Sequence, residues 1–86
     1  SRPLRVVDFG CGKAYLTFAL YHFLKATKGY HVQMVGLDLK SDVIRYCQEL
    51  AQALGYQHDL QFIKEDINDF QTQEGVDLVV SLHACD

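Results

Sequence analysis

The sequence predicts an α/β fold built on a parallel sheet, and three observations support this prediction. Strand-like apolar segments alternate with helix-like segments along all 86 residues. A Gly-x-Gly turn joins the first strand to the first helix, and the last strand-like segment, "VDLVVSL", is almost continuously apolar. Alternating strands and helices are typical of right-handed crossovers between parallel strands, and a continuous apolar run is typical of a strand buried in such a sheet.

The first half of the chain contains two strands and one helix. The first strand covers residues 4–9 and ends at the glycine turn of residues 10–12. We predict a helix over residues 14–25, with apolar side chains on more than one face and Gly29 as its stop signal. The second strand, "HVQMVGLD", covers residues 31–38.

The second half begins with an amphipathic helix over residues 41–54, for which Ser41 is a suitable N-cap and Gly55 a suitable stop. The third strand covers residues 60–66 and the fourth covers residues 76–82. The core face of the helix is marked by apolar residues at helical spacing: Val43, Ile44, Cys47, Leu50, Ala51 and Leu54. We expect the strand order 3-2-1-4, with helices packed on the faces of the sheet.

Length and composition restrict the class of protein. The chain is short enough for one domain at most, and no apolar run reaches the ~18 residues of a membrane span. The net charge of −3 and the scattered basic residues do not favour nucleic-acid binding by this part alone. Three cysteines without C-x-x-C spacing indicate a reducing, cytoplasmic setting, and no secretory signal is visible.

The fourth strand also bears on domain organisation. Its apolar side chains need cover on both faces, yet the chain ends soon after it. We therefore expect residues 1–86 to form a single partial domain, truncated after strand four.

The glycine turn has the pattern D-x-G-x-G-x-A over residues 8–14. The dinucleotide fingerprint G-x-G-x-x-G is not matched, because bulky Tyr15 occupies its third glycine position. A carboxylate at Asp8 would repel a pyrophosphate and attract an ammonium group, so the turn favours a nucleoside with a cationic tail over NAD or FAD. This disfavours a short-chain dehydrogenase. The simpler alternative is a strand-to-helix turn that needs glycine only for its geometry.

Two further acids follow the next two strands. Asp38 can accept hydrogen bonds from both ribose hydroxyls of a nucleoside, and Asp66 can accept one from the exocyclic amine of adenine. Asp38 could equally be an exposed turn residue, and Asp66 a member of a solvated charge cluster. Because parallel strands bring their carboxyl ends to one edge of the sheet, we expect Asp8, Asp38 and Asp66 to lie along one ligand site.

Taken together, these motifs resemble the amino-terminal half of class I S-adenosylmethionine-dependent methyltransferases, which have a Rossmann-like sheet of seven strands. "VVDFGCGKAYL" resembles motif I, "VGLDLK" the acidic loop after strand two, "FIKEDI" the adenine-contacting loop and "VDLVVSLHACD" the strand-four motif. "GCGKAYL" with the later "LHACD" is most similar to a subgroup that includes a tRNA 2′-O-methyltransferase family. The resemblance thus implies a methyltransferase with S-adenosyl-L-methionine as cofactor and RNA as a candidate acceptor.

The same resemblance assigns roles at the amino-acid end of the cofactor. Asp8 would interact with the methionine amino group, directly or through water. Gly10 and Gly12 would let the backbone approach the methionyl moiety. Ala14 stands where the family usually has a third glycine, a departure that the family tolerates.

At the nucleoside end, the resemblance implies that Asp38 binds the ribose hydroxyls and that Leu39 lies against the adenine ring. Asp66 and Ile67 would contact the adenine edge through side chain and backbone. These four residues, with Asp8 and the two glycines, form the expected cofactor site.

The resemblance also implies that Ser81, Leu82 and His83 line the methyl-transfer side of the pocket. His83 could act as a general base or contact the acceptor, and it could equally be a histidine that ends a strand. His83 and Cys85 alone are too few ligands for a metal site, so we expect no metal. The alternative function is a non-catalytic, methyltransferase-like nucleotide-binding module, against which the intact glycine turn and acids argue.

Overall fold

The computed structural model describes residues 2–10, 14–70 and 75–81. Its four strands are parallel and lie in the order β3-β2-β1-β4. This confirms the expected α/β class and the predicted adjacency of the first and fourth strands. The strands are β1 (Leu4–Phe9), β2 (Val32–Asp38), β3 (Leu60–Lys64) and β4 (Leu78–Val80).

Two helical segments connect the first three strands. Helix α1 (Ala14–His22) continues as a π-helical turn (Phe23–Thr27), and α2 covers Ser41–Leu54. Ser41 is the first residue of α2 and Lys40 is its N-cap, so the N-cap expected from the sequence is displaced by one residue. Gly55 ends α2 in the left-handed conformation, with φ +77°, as its position predicts. No helix in the described ranges has the length and apolar character that a membrane span requires.

Both helices pack on the same face of the sheet. Strand side chains alternate in direction, so every second residue of β1, β2 and β3 faces the helices. Cys47 is fully buried in this core and behaves as the small apolar residue expected from its helical position. The core contains Val6, Phe18, Tyr21, Leu24, Val32, Met34, Ile44, Cys47, Ala51, Leu60 and Phe62.

Parts of β4 and α1 are more exposed than their apolar sequences predict. Leu78 is 39% exposed and Val79 is 54% exposed, because β4 pairs only with β1 and no described helix covers it. On α1, Tyr15 is 68% exposed. The burial expected on both faces of the fourth strand is therefore not found within the described residues, and the partial-domain interpretation stays a prediction.

Asp77 attaches the start of β4 to the amino end of β1. Its carboxylate accepts hydrogen bonds from the Arg2 guanidinium at 2.6 and 3.1 Å and from the Arg5 N–H at 2.8 Å. Its own N–H donates to the Arg5 carbonyl at 2.9 Å. The Arg5 N–H, followed by the Arg2 side chain, lowers the pKa of Asp77 below its ordinary value of 3.8.

We expect Asp77→Asn to make unfolding less dependent on pH in acid. A carboxyl group whose pKa is lower in the folded protein than in the unfolded protein stabilises the fold at pH values above the unfolded-state pKa. This stabilisation is lost as the pH falls through the folded-state pKa. The difference in unfolding free energy between wild type and Asp77→Asn should therefore be constant near neutrality and shrink below pH 3.8. Urea unfolding over a pH series measures it, with the exposed Asp69→Asn as control. A difference that stays unchanged down to about pH 2 would contradict the prediction.

Candidate functional site

A cavity of about 270 Å³ opens at the carboxyl edge of the sheet, where β1, β2 and β3 end. This volume lies just below the ~300–1,000 Å³ typical of small-molecule sites. Residues from all three strand ends meet there, at the edge that the sequence predicted. The lining residues are Phe9, Gly10, Leu37, Asp38, Leu39, Lys40, Glu65, Asp66 and Ile67.

Gly10 forms the β1 side of the cavity. Its φ is +74°, a conformation that residues with a side chain adopt only with strain. Its N–H donates to the Leu37 carbonyl at 2.6 Å, which joins the start of the glycine turn to β2. Glycine at this position therefore has a conformational reason, in addition to any approach of a ligand to the backbone. Gly12, the second predicted glycine contact, lies outside the described residues.

Asp8 is not one of the described residues that line the cavity. The side chain is fully buried, and its Oδ2 accepts a hydrogen bond of 2.5 Å from the Thr17 hydroxyl of α1. The carboxylate thus joins the end of β1 to the start of α1, across the glycine turn. A contact between Asp8 and a ligand amino group stays a prediction.

Asp38 ends β2 and is fixed by the turn that follows. Its Oδ1 accepts a hydrogen bond from the Lys40 N–H at 2.9 Å, and its carbonyl accepts one from the Glu65 N–H at 3.0 Å. The turn role that the sequence suggested is therefore present. A carboxylate has about four acceptor sites, so this bond leaves capacity for ligand hydroxyls. Turn residue and ligand contact are compatible roles for Asp38.

Asp66 is held in a similar way after β3. Its Oδ1 accepts a hydrogen bond from the Asn68 N–H at 2.8 Å. Its carbonyl accepts bonds from the N–H groups of Asp69 and Phe70 at 3.0 and 3.1 Å. Asp66, with Ile67 in this turn, lines the same cavity as Asp38.

Five of the predicted cofactor residues therefore line one cavity, whereas others do not. Ser81 follows β4, is half-buried and does not line the cavity. His83 lies outside the described residues. Within the described ranges, no group of three or more His, Cys, Asp or Glu side chains could hold a metal ion.

The sequence analysis did not select four of the lining residues. Phe9, Leu37, Lys40 and Glu65 each precede or follow a residue or pair that was selected. Their only sequence signal is this proximity, because a strand end brings several consecutive residues to the cavity. Lys40 and Glu65 add one positively and one negatively charged residue to a lining whose surface is mostly apolar.

Comparison with known proteins identifies the family. A protein-family profile described as a methyltransferase domain matches residues 1–86, the whole sequence. The chain belongs to this methyltransferase-domain family. No curated protein matches the sequence significantly.

Solved structures share the fold of this methyltransferase domain. A SAM-dependent methyltransferase from Thiobacillus denitrificans in complex with S-adenosyl-L-homocysteine has 22% identity over 96% of this chain, with a TM-score of 0.71. Geranyl diphosphate methyltransferase in complex with SAM has 18% identity over 90%, with a TM-score of 0.72. The [4+2]-cyclase SpnF has 17% identity over 81%, with a TM-score of 0.65. The methyltransferase domain spans 31%, 29% and 24% of these three chains.

Proposed function

We propose that this methyltransferase domain binds S-adenosyl-L-methionine at the carboxyl-edge cavity and takes part in methyl transfer to an acceptor. The observation that carries the proposal is the convergence of Asp38, Leu39, Asp66 and Ile67 with Gly10 on one cavity. The cavity surface is mostly apolar, which suits a purine ring, and Asp38 and Asp66 are among its lining residues. Family membership and two similar structures, one in complex with S-adenosyl-L-homocysteine and one in complex with SAM, support the choice of ligand.

The residues present fit the nucleoside part of this cofactor. Asp38 offers carboxylate oxygens to vicinal ribose hydroxyls, and Asp66 offers one to the adenine amine. Leu39 is 63% exposed although it is apolar, and a ring lying against it would remove that surface from water. Ile67 forms the wall on the β3 side. The volume of about 270 Å³ lies just below the usual range of small-molecule sites, and a nucleoside is a ligand of that small size.

The amino-acid part is assigned to the glycine turn. Gly10 has no side chain at the rim of the cavity, so a ligand can approach its backbone closely. We assign Gly12 to the same turn and Asp8 to the ligand amino group, directly or through water. Ser81 and His83 are assigned to the methyl-transfer side.

When bound, S-adenosyl-L-methionine supplies an electrophilic methyl group on a positively charged sulfur. The residues of this chain hold the nucleoside and orient it against the sheet edge. Such positioning makes the reaction effectively unimolecular, which is the main contribution a protein can make to an in-line displacement. The described residues therefore act by binding and orientation.

The first experiment compares ligands on the purified full-length protein. We expect S-adenosyl-L-homocysteine to raise the unfolding temperature and NAD to leave it unchanged. The reason is that the carboxylate of Asp8, at the strand end before the glycine turn, repels a pyrophosphate and attracts the ammonium group of the amino-acid part. Stabilisation by NAD alone would overturn the proposal.

A non-catalytic nucleotide-binding module is the alternative. A [4+2]-cyclase has a similar fold, so this fold is used for more than one kind of reaction. Transfer of a labelled methyl group from S-adenosyl-L-methionine to RNA would exclude the non-catalytic module. RNA is proposed as acceptor on the resemblance of "GCGKAYL" and "LHACD". Because the net charge is −3 and the basic residues are scattered, basic surface outside these residues has to hold the RNA backbone.

A further inference from the structure

The buried side chains of Asp8 and Thr17 are not among the described residues that line the cavity. Asp8 is 0% exposed and Thr17 is 1% exposed, and they are the polar side chains in the buried class among the described residues. Their hydrogen bond, from the Thr17 Oγ1 to the Asp8 Oδ2, measures 2.5 Å. Burial of a carboxylate is costly unless hydrogen bonds compensate it, so this bond contributes to holding the charge in place.

Packing alone does not explain a threonine at position 17. The neighbouring buried positions of α1 carry Phe18 and Tyr21, and a valine would fill the same space without a polar atom. A threonine within a helix commonly bonds to a carbonyl of the preceding turn. Here its hydroxyl donates to the end of β1 instead. The hydrogen bond to Asp8 is therefore the reason we assign to the hydroxyl at this position.

We propose that Thr17 is a positioning residue, which fixes the Asp8 carboxylate for the amino-acid end of the cofactor. This inference rests on the proposed function. The bond joins the two elements that flank the glycine turn, β1 and α1, whereas none of the described residues that line the nucleoside cavity comes from α1. Loss of the Thr17 hydroxyl should thus weaken binding of the amino-acid part of the ligand and leave binding of the nucleoside part unchanged.

Two ligands distinguish these ends. S-adenosyl-L-homocysteine has the nucleoside and the amino acid, and 5′-methylthioadenosine has the same nucleoside without the amino acid. In Thr17→Val, which keeps the shape and removes the donor, we expect about tenfold weaker binding of S-adenosyl-L-homocysteine by calorimetry. Binding of 5′-methylthioadenosine should change less than about twofold. Thr17→Ser, which keeps the hydroxyl, should restore the ratio of the two affinities.

Ile44→Val is the matched control, because it removes one methylene from the core on α2, away from Asp8. It should leave the ratio of the two affinities unchanged even where it lowers the unfolding temperature. An equal loss of affinity for both ligands in Thr17→Val would show a general effect on folding and would overturn the inference. Unchanged affinity for both ligands would overturn it as well. Failure of the wild-type protein to bind either ligand would instead overturn the proposed function, and this inference with it.

Discussion

Replacing Asp38 by alanine is expected to weaken binding of S-adenosyl-L-homocysteine by about 1.5–3 kcal/mol, the range for hydrogen bonds to a charged group. Asp38 ends β2 at the cavity, and its carboxylate is oriented by the Lys40 N–H at 2.9 Å. A carboxylate held in this way can accept two ribose hydroxyls without a further cost of ordering. Calorimetry on the full-length protein measures the change, which corresponds to a loss of roughly 10- to 150-fold in affinity.

Two variants separate this contact from other effects. In Asp38→Asn the side-chain oxygen can still accept from the Lys40 N–H, so stability without ligand should be retained while affinity falls. In Asp69→Ala an exposed acid near the cavity, but not lining it, is removed, and affinity should stay unchanged. Equal affinities for wild type and Asp38→Ala would remove Asp38 from the site.

Replacing Phe18 by alanine is expected to lower the free energy of unfolding by about 3–5 kcal/mol. Phe18 is 8% exposed on α1, and its ring centroid lies 6.2 Å from that of Tyr56 and 5.8 Å from that of Phe62. The side chain therefore joins α1 to β3 and to the loop that precedes it. Since domains are stable by only ~5–15 kcal/mol, the substitution removes a large part of the total. Urea unfolding followed by circular dichroism measures it.

Phe23→Ala is the matched control for Phe18→Ala. Phe23 lies in the π-helical turn that continues α1 and is 46% exposed, so the same truncation removes little buried surface. We expect a change below about 1 kcal/mol. Similar losses in the two variants would mean that the Phe18 cluster is not the link between α1 and the sheet.

Much of the fold could be predicted because periodicity and turn residues are local signals. The ends of α2 follow from its amphipathic pattern and from Gly55. The order β3-β2-β1-β4 follows from strand-helix alternation, right-handed crossovers and the glycine turn after β1. The presence of Gly10, Asp38 and Asp66 at one cavity follows from the same topology, because parallel strands end at a common edge.

The sequence by itself therefore determined the α/β class, the edge of the sheet that holds the cavity, and the acids expected there. Only the tertiary structure showed that Asp8 is buried, is not among the described lining residues and accepts a hydrogen bond from Thr17. It also showed that Tyr15 and Val79 are exposed, although their apolar surroundings suggested burial. The physical reason is that spacing along a chain reports which side chains share a face, whereas contacts between different elements decide which faces are covered. Hydrogen-bond partners far apart in sequence, as in Arg2 and Asp77, leave no periodic signal and are set by packing alone.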